Sequence, residues 1–260
     1  MTKEQLKLQL KELGLIPSDT VVIHTSLRSI GPVDGGADGL IDAFCEYLHD
    51  GLFLVPTHTW ASVNAAQPVY AARRTEPCIG AVPRAAAARQ DGIRSLHPTH
   101  SLWAFGRNAA DYVRGEELTA TPAPKGGCWS RLADVGAKIL LIGVGNSKNT
   151  FIHALDEEAK LPDRLGQPYA TTLIASSGQI FHGQMAPHFC SRCPDVSKYY
   201  TNFEEALTAL GAQHFGRLGR AQVRVVDASA CREIVLRIYG RADHDVCIAP
   251  EQIPEAWYLP

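Results

Sequence analysis

The sequence has no excess of positive charge: 25 Lys and Arg stand against 27 Asp and Glu, a formal net charge of -2. Non-specific nucleic-acid binding needs a clearly basic face, so no nucleic-acid partner is expected. Long apolar runs are missing as well. None approaches the ~20 residues that span a bilayer, and the amphipathic N-terminal stretch has no apolar signal core. Neither membrane insertion nor secretion is expected. The seven cysteines, at 45, 78, 128, 190, 193, 231 and 247, are odd in number and scattered, unlike the disulfide frameworks of small secreted proteins. The reducing cytoplasm is the expected location. Internal repeats, low-complexity tracts and obvious linkers are also absent. Residues 1–260 therefore read as a single domain, with an irregular insertion near 57–80.

What is present suits a layered α/β fold. A composition of 45% hydrophobic and 20% charged residues supports one large core. Thr2 and Gln5 have the spacing of a capping box before a Leu6, Leu10, Leu13 stripe that ends at Gly14. Short strands are expected at Thr20 to His24, Leu52 to Val55, Leu102 to Phe105 and Ala221 to Asp227. A hairpin is expected from Thr171 to His182. Helices are expected over Ala37 to Leu48, Ala81 to Arg89, Phe203 to Leu210 and Cys231 to Tyr239. The chain from Thr57 to Gly80 is long and irregular, as functional or mobile loops are. The last 20 residues are Pro-rich and read as irregular.

Four stretches carry candidate chemistry. In KILLIGVGNSKNTFIHALDEEA, Ile139 to Val144 reads as a strand covered on both faces. Gly143, Gly145, Asn146 and Asn149 then permit a tight exit, and Thr150 is placed to cap a helix. His153 falls in its first turn, beyond the carboxyl end of a strand, where open α/β sheets bind ligands. Asp156 and Glu157, three and four residues on, share its face. The second stretch runs from Thr25 through Gly31, Gly35 and Gly36. Its hydroxyls and Arg28 suit a phosphate, although neither GK[ST] nor GxGxxG is present. The third is His97-Pro98 with His100 and Ser101, a fixed imidazole or a turn in which His97 bonds a backbone carbonyl. In the fourth, His188, Cys190 and Cys193 offer three zinc ligands but no fourth, so no metal is expected. Cys128, after a Gly-Gly turn, could act as a nucleophile, but nothing places a histidine and a carboxylate around it.

Taken together, HTSLRSIGPVDGGADGLIDAF, RSLHPTHSLWAFG and LLIGVGNSKNTFIHALDEE resemble the aminoglycoside 3-N-acetyltransferase family, the antibiotic N-acetyltransferases unrelated in fold to the GNAT enzymes. The GxVxGG signature stands as Gly31, Val33, Gly35 and Gly36, and the HP block as His97 and Pro98. The resemblance spans most of residues 1–240. It implies an α/β/α single domain with a central mixed sheet, acetyl-coenzyme A as co-substrate and an aminoglycoside amine as acceptor. It also implies that Ser26, Leu27, Arg28, Ser29, Gly31, Val33, His97 and Ser101 hold the cofactor and that His153 is catalytic. Where the family usually has glutamate three residues after the histidine, this chain has Asp156, so the partner of His153 is Asp156 or Glu157. A protonated amine cannot attack a thioester, and a carboxylate-backed imidazole can remove its proton near neutral pH. A cationic small-molecule amine is the expected partner, drawn by Asp156, Glu157, Glu158 and Asp163. Rival readings are transfer to another small amine, a coenzyme A-binding protein without turnover, and a zinc-dependent protein.

Overall fold

The computed structural model describes residues 1–259. Helix α1 (Lys3–Glu12) opens with the expected capping box, Thr2 and Gln5 each bonding the other's backbone. The chain then alternates. Strand β1 (Thr20–Thr25) leads through the short α2 (Leu27–Ile30) to α3 (Gly36–Tyr47), and β2 (Leu52–Pro56) follows. Beyond β3 (Val69–Ala71) come α4 (Ala81–Ala88), β4 (Ile93–Arg94), β5 (Leu102–Gly106), α5 (Ala109–Tyr112) and α6 (Arg131–Asp134). Strand β6 (Lys138–Ile142) runs into α7 (Phe151–Glu158), and β7 (Tyr169–Ile174) and β8 (Ile180–Met185) make the expected hairpin. Helix α8 (Glu204–Ala209), strands β9 (Gln213–Leu218) and β10 (Ala221–Asp227), and helices α9 (Ala228–Arg241) and α10 (Glu255–Tyr258) complete the chain.

Among the described residues seven strands form one sheet in the order β4-β5-β2-β1-β6-β10-β9. Its centre is parallel, since β1 pairs with both β2 and β6 in that sense, and its outer strands are antiparallel. Val22, Leu54, Ile139 and Leu141 point to one face and Val21, Ile23, Phe53 and Leu140 to the other. These strands are apolar on both sides because helices cover both. Helices α1, α3 and α4 pack on the second face, whose core also holds Leu6, Phe44 and Trp103. Helices α6, α7 and α9 pack on the first, with Trp129, Phe151 and Tyr200. The layering is α/β/α around a mixed sheet, as expected.

Two regions differ from the sequence reading. Residues 57–80 contain β3, which pairs in parallel with β7 and so joins the hairpin in a second, three-stranded sheet over a small core of Val63, Tyr70, Ala72 and Leu173. The tail carries α10, anchored by the buried Tyr258. Tertiary contact supplies both elements, so local propensity does not announce them.

Candidate active site

Strand β1 has β2 on one side and β6 on the other, so the crevice at its carboxyl end is a topological switch point, where α/β sheets bind ligands. The parallel register sets His24 opposite Leu141 and Thr25 opposite Ile142. Beyond this edge lies a cavity of about 930 Å³, lined by His24, Thr25, the 147–150 turn and His153. Gly143 makes the turn possible: its φ is +66°, and a Cβ there would come within 2.4 Å of the Ser29 Cβ. The buried Asn146 pins the loop through the Gln213 side chain at 2.9 Å. Thr150 does not cap α7, because its backbone is already helical and its hydroxyl makes no capping bond.

His153, in the first turn of α7, opens on the cavity with its ring stacked on His188 at 3.7 Å. The expected carboxylate does not touch it directly. Tyr200 stands between: its hydroxyl lies 2.6 Å from His153 Nδ1 and donates to Asp156 Oδ2 at 2.6 Å. Asp156, 1% exposed, also accepts from the Tyr239 hydroxyl at 2.5 Å and from Arg164 Nε at 3.2 Å. The second face of Arg164 grips Asp245 at 2.8 and 3.0 Å. Burial raises the Asp156 carboxyl above its ordinary range, while Arg164 and the two phenols pull it back. A phenol has one proton to give. With that proton on Asp156, the His153–Tyr200 bond is made by Nδ1–H, and Nε2 keeps its lone pair. Burial, reinforced by His58 and Arg164, lowers His153 to about 3, so the ring is neutral at neutral pH.

Glu157 has another task, which corrects its expected pairing with His153. Its carboxylate accepts from the Thr121 hydroxyl at 2.5 Å and from the Ala123 backbone at 2.8 Å, tying down the loop around Pro122. We expect Glu157→Gln to leave turnover within a few-fold of wild type. It should cost about 1–2 kcal/mol of stability by weakening two charge-assisted bonds, read from denaturant titration. A large loss of turnover at unchanged stability would return Glu157 to the catalytic set.

The acidic residues expected to draw a cation are also committed elsewhere. Glu158 pairs with Arg232, and Asp163 takes the backbone and hydroxyl of Ser191.

The expected cofactor residues divide. Ser26, Leu27, Arg28, Ser29, Gly31 and Val33 directly follow the cavity residues His24 and Thr25. Arg28 is exposed, and the Ser29 hydroxyl bonds that of Ser26 at 2.8 Å. His97 and Ser101 are corrections, since both are 0% exposed with their polar atoms spent. His97 Nδ1 accepts from the backbone of Thr99 and His100, and Nε2 meets the Thr121 carbonyl at 3.0 Å. Ser101 joins Thr57 and Arg94 in a buried strut. The backbone-holding reading of His97 is the one that the geometry favours.

Among the described residues, no group of three or more His, Cys, Asp or Glu side chains is arranged to hold a metal ion. Cys190 and Cys193 lie 3.4 Å apart through sulfur, while His188 turns to the imidazole of His153. Cys128 is buried, its thiol raised well above the ordinary range by burial, so it is no nucleophile at neutral pH.

Sequence reasoning missed Tyr200, Tyr239 and Arg164, and it passed over an imidazole wall. His188 meets His100 at 4.9 Å between ring centres, and His100 meets His58 at 4.7 Å. Trp129 packs against both His58 and His24. Nothing in local spacing marks Tyr200, 47 residues from His153. The wall was visible only as scattered single histidines.

The sequence profile of the aminoglycoside 3-N-acetyltransferase family matches residues 22–239. Aminoglycoside N(3)-acetyltransferase III of Serratia marcescens is 25% identical over 251 residues, covering 87% of this chain and 93% of that protein. Among solved structures, the AAC-IIIb binary complex with CoASH superposes with a TM-score of 0.78 at 21% identity, over 91% of this chain and 95% of that one. A histidine-to-alanine mutant of AAC(3)-IVa in complex with a gentamicin superposes with a TM-score of 0.76 at 23% identity, over 95% of each chain.

Proposed function

From the premise that the chain belongs to the aminoglycoside 3-N-acetyltransferase family, we propose that it transfers the acetyl group of acetyl-coenzyme A to an amino group of an aminoglycoside, with His153 as general base. The observation that carries this reading is the neutral imidazole of His153, open to the cavity at Nε2 and backed at Nδ1 by Tyr200 and Asp156.

The acceptor nitrogen attacks the thioester carbonyl, forming the C–N bond. Nε2 takes the proton that this nitrogen must lose, and collapse of the tetrahedral intermediate breaks the C–S bond and releases coenzyme A. Transfer is direct, with no acetyl group lodged on the protein. The imidazolium formed at His153 is costly in a buried site, and the Tyr200 oxygen, polarised by Asp156, offsets that cost at Nδ1–H. For the co-substrate, the exposed guanidinium of Arg28 and the ammonium of Lys148 on the cavity wall are cations suited to phosphates. Among the described residues no helix is long and apolar enough to cross a membrane. The seven thiols, all free, support a cytoplasmic reading.

The test is coenzyme A release by the purified protein with acetyl-coenzyme A and an aminoglycoside. Release that requires both substrates is expected, and release indifferent to the amine would overturn the reading. Tyr200 is a positioning residue in this scheme. Tyr200→Phe should lower kcat on the order of tenfold to a hundredfold, less than the full general-base contribution of ~10²–10⁴, with KM nearly unchanged. That split, a fall in kcat at unchanged KM, is one that loosened packing alone would not produce.

A further inference from the structure

Asp156, Glu157, Glu158 and Asp163 are committed to Arg164, Thr121, Arg232 and Ser191, so the positive charge of an aminoglycoside must be met by another group. Among the described residues that line the cavity the only carboxylate is Asp195, and the only lysine or arginine is Lys148. The two charges act on different parts of the wall. Burial lowers the proton affinity of both His24 and His188; Lys148 deepens the shift at His24, whereas Asp195 opposes it at His188. His188 is the ring stacked on His153 at 3.7 Å. The negative charge therefore belongs to the part of the wall that holds the general base.

Asp195 caps the 3-10 turn Val196–Phe203, which carries Tyr200. Both capping bonds fall on one oxygen: Oδ1 accepts from the Ser197 backbone at 3.0 Å and from the Ser197 hydroxyl at 2.6 Å. Oδ2 has no hydrogen-bond or ion-pair partner among the described residues, and the residue is half-buried. An ionised carboxylate has about four lone-pair sites, so the cap leaves acceptor capacity and the whole charge for a ligand. The cap also fixes the carboxylate, so its second oxygen is held in one orientation.

Which amino group it takes follows from the chemistry. A carboxylate favours the charged form of a nearby amine, and the nitrogen that attacks the thioester must be neutral. Asp195 at the reacting nitrogen would oppose the step that it serves. On a second ammonium it holds the acceptor and leaves the proton transfer to His153 unhindered.

We propose that Asp195 is the specificity-determining carboxylate of the acceptor cavity: Oδ2 pairs with a protonated amino group that does not react, and so presents a neighbouring amine of the same acceptor to His153. The proposal rests on the acetyl-transfer reading and names the residue through which the site selects acceptors with at least two amino groups.

The experiment compares the full chain with its Asp195→Asn variant, measuring coenzyme A release from acetyl-coenzyme A with gentamicin and with apramycin at low and at high potassium chloride. Asparagine caps as well as aspartate does, so the bonds to Ser197 survive and only the charge is removed. Expected in the variant is a KM for both aminoglycosides raised on the order of tenfold, the worth of a hydrogen bond to a charged group. Its kcat, its KM for acetyl-coenzyme A and its Tm should be little changed. Wild-type kcat/KM should fall as salt rises, and that of the variant should fall less. A damaged turn would misplace Tyr200 and lower kcat, so a fall in kcat at unchanged acceptor KM would overturn the proposal. An acceptor KM and kcat both unchanged in the variant would overturn it too, and would leave acetyl transfer standing. No release by the wild type with either aminoglycoside, in a protein that still binds acetyl-coenzyme A, would overturn both.

Discussion

Replacing His153 by alanine is expected to lower kcat by ~10²–10⁴, the usual contribution of a positioned general base. Nε2 is the nitrogen left free when Tyr200 takes Nδ1, and the ring opens on the cavity at the switch point of the sheet. The low proton affinity of the ring, about 3 because of burial, keeps it in the form that accepts a proton across the neutral range. Alanine leaves α7 intact, since the helix is held by the buried Phe151, Ile152, Ala154 and Leu155. KM for acetyl-coenzyme A should stay within a few-fold. Steady-state kinetics at neutral pH decide the matter, and near-normal turnover would remove His153 from the chemistry.

The second large effect is on stability against acid. Six histidines around the site, His24, His58, His97, His100, His153 and His188, are held below the ordinary imidazole range, in each case chiefly by burial. His24 and His153 fall to about 3. The sign follows from linkage. Below about pH 6.5 the unfolded chain takes up protons on these rings and the folded chain does not. Stability is therefore whole above that pH and is lost as pH falls toward the folded values. Each excluded proton contributes about 1.4 kcal/mol per pH unit, so a few acting together are already large against a total stability of about 5–15 kcal/mol. Asp156 and Glu157, whose carboxyl groups burial raises, act in the opposite sense but are outnumbered. Tm should fall steeply between pH 6 and about pH 4.5, followed by circular dichroism. A Tm that is flat down to pH 4 would mean that the rings find protons in the folded state.

The sequence carried the parts of this site that are local. Strand, glycine turn and helix are written side by side from Lys138 to Glu158, and the position of His153 follows from that order alone. The capping box at Thr2 and the covered strands of the sheet were legible for the same reason. The partner of His153 was not, because helical spacing relates Asp156 and Glu157 to His153 but says nothing about a side chain arriving from elsewhere. Tyr200 comes from the 3-10 turn at Val196–Phe203 and fills the gap that an aspartate leaves. Arg164, by neutralising Asp156 and Asp245 together, spends an acidic group that the sequence alone assigns to a cationic ligand. Of the two readings open for His97, the geometry favours the turn: its proline neighbour does fix the imidazole, toward the backbone of Thr99, His100 and Thr121 rather than toward a ligand.

The central claim is that His153 moves a proton during direct transfer of acetyl from acetyl-coenzyme A to an amine. Its most direct test is a single-turnover experiment in which wild type and His153→Ala, each loaded with acetyl-coenzyme A, are mixed with an acceptor and quenched. Acceptor and protein are then weighed by mass spectrometry. The account predicts one acetyl group on the acceptor for each coenzyme A released by the wild type, none on the protein, and product formation slowed by ~10²–10⁴ in the variant. Acetyl appearing on the protein, or product forming as fast in the variant, would contradict it.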